Sequence, residues 1–340
     1  MATNLVRYEL DGAPHWGVAS ALGIAPLDGG YPTTAALIEH GEADWRRASA
    51  RAPSVSFEQA AILSPVTTPC RIYCQGANYR RHMIESGMDP DAKAFNMFFT
   101  KSDASVTSAK GTVTPPKHVS LLDYEIELAL IFRRPIVSEV TVAREKLKDY
   151  VFAVAIANDF SARDVQLPQM QFFKGKSYRG FCPIGPWLTV PEPDEFAFLD
   201  DLELQLTVND AVRQRDSTKN LVFKPAETIS ELSTFANVAP GDVLLTGTPS
   251  GCALRLPPAP VRRIVQLLPE RRFWKLFLNA QRRRSEYLRP GDSVAARIFS
   301  ADGALDLGEQ TTAVLSPRPD PARGRITRRA PSRWALPWRA

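Results

Sequence analysis

The most informative stretch of this chain is residues 123–132, which read DYEIELALIF. Its second half is apolar and rich in strand formers, so we predict one buried β-strand over the segment. Alternate side chains of a strand share a face, which places Asp123, Glu125 and Glu127 on one side. Neighbouring carboxylates repel one another, and a buried carboxylate needs a compensating cation. Because ligand sets made only of oxygen favour hard ions, the pattern predicts a site for Mg²⁺, Mn²⁺ or Ca²⁺.

The acidic pattern also has a simpler explanation. An edge strand can turn alternate carboxylates toward water with no metal involved, and Glu-x-Glu is a common sequence. Asp159 favours the metal site, because it follows a second apolar run at residues 150–157 that we predict as another buried strand. Asp159 is therefore a natural third ligand, whereas the nearby Arg163 and Asp164 could form a local structural ion pair.

Length and composition limit the class of protein. The 340 residues suit one large domain, or a large domain with a small partner, and 44% of them are hydrophobic and 23% charged. No apolar run approaches the roughly 20 residues that a membrane span requires, and the first residues do not resemble a secretory signal. The four cysteines form no Cys-x-x-Cys pair, so we expect free thiols and a cytoplasmic location.

The net charge of +5 conceals an uneven distribution. Residues 253–289 contain nine Arg and one Lys against two Glu, and residues 316–340 contain seven Arg and one Asp. The rest of the chain is therefore acidic. A basic tail can bind nucleic acid or an anionic surface. No nucleic-acid motif accompanies this tail, so we predict that it is disordered, with neither a nucleic-acid nor a membrane partner.

Residues 1–65 are predicted to form a small strand-rich domain. The pair Asp11-Gly12 separates two strand-like runs and is a hairpin signal, and a helix-like segment follows Thr33, its expected N-cap. The prolines between residues 65 and 69 are typical of a linker.

After this linker comes the sequence GANYRRH at residues 76–82, followed by Glu85. Residues three apart on a helix share a face, so His82 and Glu85 can touch, which would orient the imidazole and raise its basicity. A surface ion pair on a mobile loop is the alternative.

A glycine-rich loop is predicted at residues 246–251, which read TGTPSG. The backbone N–H groups of such a loop can hold a carboxylate. No Gly-Lys-Ser/Thr sequence closes it, so it is not a phosphate-binding loop.

These motifs, in this order, resemble the fumarylacetoacetate hydrolase family over roughly residues 69 to 314. The resemblance rests on residues 76–82 with Glu85, 123–128, 158–164, 175–177 and 246–251. It implies an α+β, mainly β fold: a mixed β-roll or distorted β-barrel with a small N-terminal accessory domain, usually assembled as a homodimer. Residues 69–315 would form the catalytic domain, in which residues 253–289 are an insertion.

The resemblance also implies roles for individual residues. Glu125, Glu127 and Asp159 would bind Mg²⁺ or Mn²⁺, for which Ca²⁺ can substitute, while Asp123 stays outside the ligand set.

Further residues are implied to act on the substrate. His82 and Glu85 would form a catalytic dyad on a short, mobile lid helix. The other implied substrate contacts are Lys176 to its oxygens, Thr248 to its carboxylate, and Arg163 and Gln166 in the pocket wall.

The activity that the resemblance implies is hydrolysis of a carbon–carbon bond in a 1,3-diketo acid of the acylpyruvate or fumarylpyruvate type, as in aromatic catabolism. His82 would activate water, and the metal with Lys176 would stabilise the enolate that cleavage leaves. Decarboxylation of a 2-oxo diacid and keto–enol isomerisation use the same enolate and are the alternatives. A metal-stabilised binding protein without turnover is a third.

The insertion contains two segments with apolar residues at helical spacing, 261–268 and 273–278, separated by Pro269. Their apolar faces need a cover. Packing within the subunit or across a dimer, a wall over the active site, and an anionic membrane surface are the three alternatives. Because the insertion starts just after Thr248, we hypothesise that at least one helix borders the pocket mouth.

Overall fold

The computed structural model describes residues 1–92, 95–257, 261 and 267–317. Strands predominate over helices in this part of the chain, which confirms the predicted α+β, mainly β class. The strands are β1 Thr3–Leu10, β2 Ala13–Ser20, β3 Gly23–Pro26, β4 Ala61–Ile62, β5 Ile72–Gly76, β6 Met97–Lys101, β7 Val106–Ser108, β8 Lys110–Val113, β9 Leu122–Asp123, β10 Ile126–Phe132, β11 Val151–Asn158, β12 Ser161–Ala162, β13 Cys182–Ile184, β14 Trp187–Val190, β15 Leu202–Val208, β16 Ala211–Ser217, β17 Val243–Leu245, β18 Ser293–Ser300 and β19 Asp306–Val314.

The helices are short and lie between strands. They are α1 Thr34–His40, α2 Glu42–Ser49, α3 Arg80–Glu85, α4 Arg163–Gln166, α5 Phe172–Lys176, α6 Pro225–Ser233 and α7 Glu270–Arg282. Single 3₁₀ turns cover Asp103–Ser105, Arg144–Asp149, Glu195–Asp200 and Thr218–Asn220. None of the described helices has the length and apolar character that crossing a membrane would require.

The large sheet has twelve strands, nine of them in the order β3-β2-β1-β14-β11-β10-β17-β5-β6. At its centre β10 pairs antiparallel with β11, from Ile126 opposite Asn158 to Phe132 opposite Val151. All seven residues of β10 are buried, because strands pair along both of its edges and apolar clusters pack on both of its faces. The wet edge strand considered as an alternative is therefore wrong.

The acidic stretch is not one continuous strand, contrary to the prediction. Asp123 ends β9, which pairs with β12 in a separate two-stranded sheet, and β10 begins only at Ile126. The break lies at Tyr124 and Glu125. Tyr124 is buried in the main apolar cluster, so the alternation of apolar and acidic side chains survives the break.

A second, five-stranded sheet in the order β16-β15-β18-β19-β8 packs against the large one. Leu128 and Leu130 of β10 share one apolar cluster with Leu204 of β15 and Ile298 of β18. The buried amide of Gln310 donates across the interface to the carbonyls of Ile156 and Pro183, at 3.2 and 3.1 Å. In the described ranges neither sheet closes on itself, so the fold is the open, roll-like form of the predicted architecture.

The N-terminal strands form the predicted hairpin, in which Asp11 and Gly12 adopt φ of 52° and 78° between β1 and β2. Thr33 caps α1 by accepting a hydrogen bond from the N–H of Ala36. Strand β1 also pairs with β14, so this segment continues the large sheet. The division of the chain into domains near residues 65–69 stays a prediction.

The insertion contains one described helix, α7, which begins directly after Pro269 as predicted. The first predicted helix, at residues 261–268, lies largely outside the described residues, as do residues 318–340 of the predicted disordered tail.

We expect Leu130→Ala to lower the free energy of unfolding by about 2–5 kcal/mol, because it leaves a cavity at the centre of the sheet interface. Leu22→Ala is the matched control, since Leu22 is 86% exposed and should contribute about 0.5 kcal/mol or less. Urea unfolding of both variants measures the difference. Equal losses in the two variants would contradict this description of the core.

Candidate active site

Three carboxylates meet at one end of the β10–β11 pair. The antiparallel register places Asp159, the residue after β11, beside the start of β10, where its N–H donates to the carbonyl of Glu125 at 2.8 Å. One carboxylate oxygen each from Glu125, Glu127 and Asp159 lie within 4.8 Å of one another, and all three residues are buried. Strand pairing therefore assembles the triad from positions 32 to 34 residues apart in the sequence.

Two lysines contact this triad. The ammonium of Lys176, at the end of α5, lies 2.6 Å from Glu125 Oε2 and 2.5 Å from Asp159 Oδ2. Lys101, the last residue of β6, binds Asp159 Oδ1 at 2.5 Å and the carbonyl of Phe181 at 3.1 Å. Lys101 was not predicted as a site residue from the sequence. The available signal was a lysine closing an apolar strand, which is seldom buried without a charged partner.

Arg163 links the triad to Asp123. Its Nε donates to Asp123 Oδ2 at 2.8 Å, one terminal nitrogen pairs with Glu125, and the other donates to Gln166 Oε1 at 2.9 Å. Asp164 instead accepts from the N–H of Ser120, so the local Arg163–Asp164 pair considered above is not formed.

The three carboxylates differ in how their charge is compensated. Burial opposes ionisation of Glu125, but Arg163 and Lys176 outweigh it and hold its pKa at about 2. For Glu127, burial and then the charges of Asp159 and Glu125 raise the pKa well above its usual value. The N–H of Gly247 donates to Glu127 at 2.7 Å, but no side-chain cation among the described residues pairs with it. The triad thus lacks positive charge at Glu127, and this all-oxygen, buried group could bind a divalent metal ion.

The histidine predicted as a base lies beside the triad. His82 is partly buried in α3, and burial lowers its pKa below 6.5 although the charge of Glu125 opposes that shift. Its imidazole is therefore neutral at pH 7 and can accept a proton. Within the described chain, Nδ1 of His82 is buried and has no hydrogen-bond partner.

Glu85, the expected partner of His82, points elsewhere. Its carboxylate forms an ion pair with Arg255 of the insertion and accepts from the N–H of Gly251 at 3.2 Å. The helical spacing of the two residues therefore does not by itself produce a His82–Glu85 hydrogen bond.

A cavity of about 210 Å³ connects these groups. Every predicted site residue lines it except Asp159, which is fully buried and pairs with Lys176. The outer wall is largely apolar and includes Met88, Leu254 and Leu256. No residue of α7 is among the described lining residues, so the insertion borders the cavity through its first residues rather than through this helix.

The glycine-rich loop supplies Thr248, which is buried and accepts from Gln214 Nε2 at 2.8 Å. Two of the loop's N–H groups, at Gly247 and Gly251, already bind the carboxylates of Glu127 and Glu85. The loop thus holds carboxylates of the protein itself, and the contact of Thr248 with a substrate carboxylate stays a prediction.

Comparisons with known proteins agree with this geometry. The sequence profile of the Fumarylacetoacetate (FAA) hydrolase C-terminal family matches residues 71–315. Oxaloacetate tautomerase YisK of Bacillus subtilis is 37% identical over 202 residues, which are 58% of this chain and 64% of that protein. The match thus spans slightly less than two thirds of that relative. The mitochondrial oxaloacetate tautomerase Fahd2a of Rattus norvegicus is 31% identical over 257 residues, which are 72% of this chain and 80% of that protein.

A solved structure supports the same assignment. A probable 2-hydroxyhepta-2,4-diene-1,7-dioate isomerase from Mycobacterium abscessus superimposes with a TM-score of 0.67 at 27% identity, covering 93% of this chain and 100% of that one. The profile match covers most of the chain, and the motifs that it includes are those that form the carboxylate triad and its cavity. The chain therefore belongs to the fumarylacetoacetate hydrolase family.

Proposed function

We propose that this protein is a metal-dependent keto–enol tautomerase of a 2-oxo diacid of the oxaloacetate type. The observation that carries the proposal is that the imidazole of His82 lines a cavity whose wall also holds buried carboxylates and cations, while the carboxylate of Glu85 is bound by Arg255. Moving one proton between carbon and oxygen requires one base and a stabilised enolate, and no attacking water. Two relatives named as oxaloacetate tautomerases support this choice over hydrolysis.

Described residues can perform each step of the proton transfer. His82 removes a proton from C3 of the keto form, and the electron pair of that C–H bond forms the C2–C3 double bond. The negative charge moves to the 2-oxo oxygen, to which the ammonium of Lys176 donates a hydrogen bond. His82 then returns its proton to that oxygen, which gives the enol and regenerates the neutral base. The apolar outer wall excludes competing water.

We further propose that the ion held by Glu125, Glu127 and Asp159 is Mg²⁺ or Mn²⁺. Bound there, it would place positive charge beside the carboxylate of Glu127 and stabilise negative charge on the substrate's 2-oxo oxygen.

Hydrolysis of an acylpyruvate is the second candidate. It is favoured by the position of His82 and Glu85 on one helix, both in the cavity wall, where release of Glu85 from Arg255 would allow a dyad to form. Decarboxylation of the diacid would also pass through an enolate, that of pyruvate, which the electron pair of the broken C3–C4 bond forms as CO₂ leaves.

One experiment separates these activities. Purified protein with Mg²⁺ is given oxaloacetate and, separately, acetylpyruvate, while ultraviolet absorbance follows the enol and a coupled dehydrogenase assay follows pyruvate. We expect faster equilibration of the enol and keto forms of oxaloacetate, with little pyruvate from either compound. Rapid pyruvate formation from acetylpyruvate would establish the hydrolase instead.

His82→Ala should lower the tautomerase rate by about 100-fold or more, because it removes the base. In the parent protein the rate should fall as pH drops through the pKa of His82, below 6.5, since the imidazole then becomes protonated. The variant should lack this acid limb and keep its affinity for Mg²⁺. His40→Ala, at an exposed histidine, is the control. Loss of metal binding in His82→Ala would show that His82 is a ligand.

Glu127→Gln should weaken Mg²⁺ binding by about 10-fold or more, because it removes a carboxylate from a minimal ligand set. The thermal midpoint of the metal-free variant should not fall, since the substitution relieves repulsion from Glu125 and Asp159. Titration calorimetry and thermal unfolding measure the two effects, with the exposed Glu39→Gln as control. Unchanged metal affinity would remove Glu127 from the site.

A further inference from the structure

The first residues of the insertion are held firmly against the cavity. The carboxylate of Asp123 accepts from the N–H groups of Ala253 and Leu254, at 2.7 and 3.1 Å. The buried amide of Gln281, in α7, donates to the carbonyl of Arg255 at 2.7 Å. Leu254 and Leu256, which precede and follow Arg255 in the sequence, both line the cavity. Hydrogen bonds with Asp123 at the end of β9 and with Gln281 of α7 therefore hold this segment in place.

Arg255 is not itself among the residues that line the cavity, but its guanidinium pairs with Glu85, which is. Both side chains are accessible, at 37% and 32% exposure. An ion pair this exposed contributes little to the stability of the fold, because water screens it. An incoming carboxylate could therefore replace Glu85 on the guanidinium at little cost in free energy.

The cationic side chains that line the cavity already bind carboxylates of the protein. Arg163 and Lys176 are the cationic side chains on its described wall, and both bind buried carboxylates. A 2-oxo diacid whose 2-oxo end lies at the triad would place its second carboxylate farther out, against the apolar wall that contains Leu254 and Leu256. Burying that carboxylate without a cation would be unfavourable. Arg255 stands between these two leucines in the sequence, and its ion pair with Glu85 is more exposed than those of Arg163 and Lys176.

We propose that Arg255 binds the distal carboxylate of the substrate in exchange for Glu85, an inference that rests on the proposed function. It makes Arg255 a specificity-determining residue, which selects diacids over monoacids.

The test compares malate with lactate, two non-reacting 2-hydroxy acids that differ by one carboxylate. Titration calorimetry in Mg²⁺ measures both affinities for the parent, Arg255→Gln and Arg255→Lys. We expect the parent to prefer malate by about 10-fold or more, Arg255→Gln to lose this preference with lactate affinity unchanged, and Arg255→Lys to retain part of it. Arg272→Gln, at an exposed arginine of α7, is the matched control and should behave like the parent.

Three results would overturn the assignment. The first is a parent protein that does not prefer malate, and the second is an Arg255→Gln variant that still prefers malate. The third is an Arg255→Gln variant that binds malate and lactate equally more weakly than the parent, which would mean that Arg255 only holds Glu85 in place. Glu85→Gln adds a second test, because removing the competing carboxylate should tighten malate binding in the parent but not in Arg255→Gln. Turnover is scored separately. A parent that fails to tautomerise oxaloacetate yet shows the Arg255-dependent malate preference would contradict the proposed function and leave this assignment standing.

Discussion

The rest of the structure depends on one constraint, the burial of three carboxylates at the end of two paired central strands. Glu125, Glu127 and Asp159 cannot all be ionised there unless positive charge surrounds them. Lys101, Lys176 and Arg163 provide part of that charge, and each is brought in by a different element of the fold. The remaining deficit, at Glu127, is what a divalent ion would compensate. Fold stability and chemistry are therefore coupled, because the groups that allow the triad to be buried are those that would stabilise an enolate.

The triad was predictable because strand periodicity is local. Apolar runs flanked by acidic residues predicted β10, β11 and the three carboxylates, and the family resemblance that includes the GANYRRH motif implied that His82 lies on a short helix. The break at Tyr124 and Glu125 was not predictable from alternation. It depends on Asp123, whose carboxylate binds Arg163 and the start of the insertion, contacts that are distant in sequence.

The remainder of the site depends on tertiary contacts that leave no periodic signal. Lys101 is one lysine among many until β6 places it against Asp159. The pairing of Glu85 with Arg255 links residues 170 positions apart and replaces the helical neighbour contact that spacing alone suggested. The insertion shows the same difference between local and tertiary signals. Its α7 helix was predictable from periodicity, whereas the insertion contacts the cavity through Leu254 and Leu256, which lie outside the described helices.

The central claim is that this site forms an enolate by proton transfer through His82, without cleaving carbon–carbon bonds. It is tested most directly by dissolving oxaloacetate in D₂O with Mg²⁺ and the protein, and following the C3 hydrogens and pyruvate together by nuclear magnetic resonance. The account predicts that the protein accelerates exchange of the C3 hydrogens for deuterium while pyruvate accumulates no faster than without protein. Accelerated release of pyruvate, or no acceleration of exchange, would contradict it.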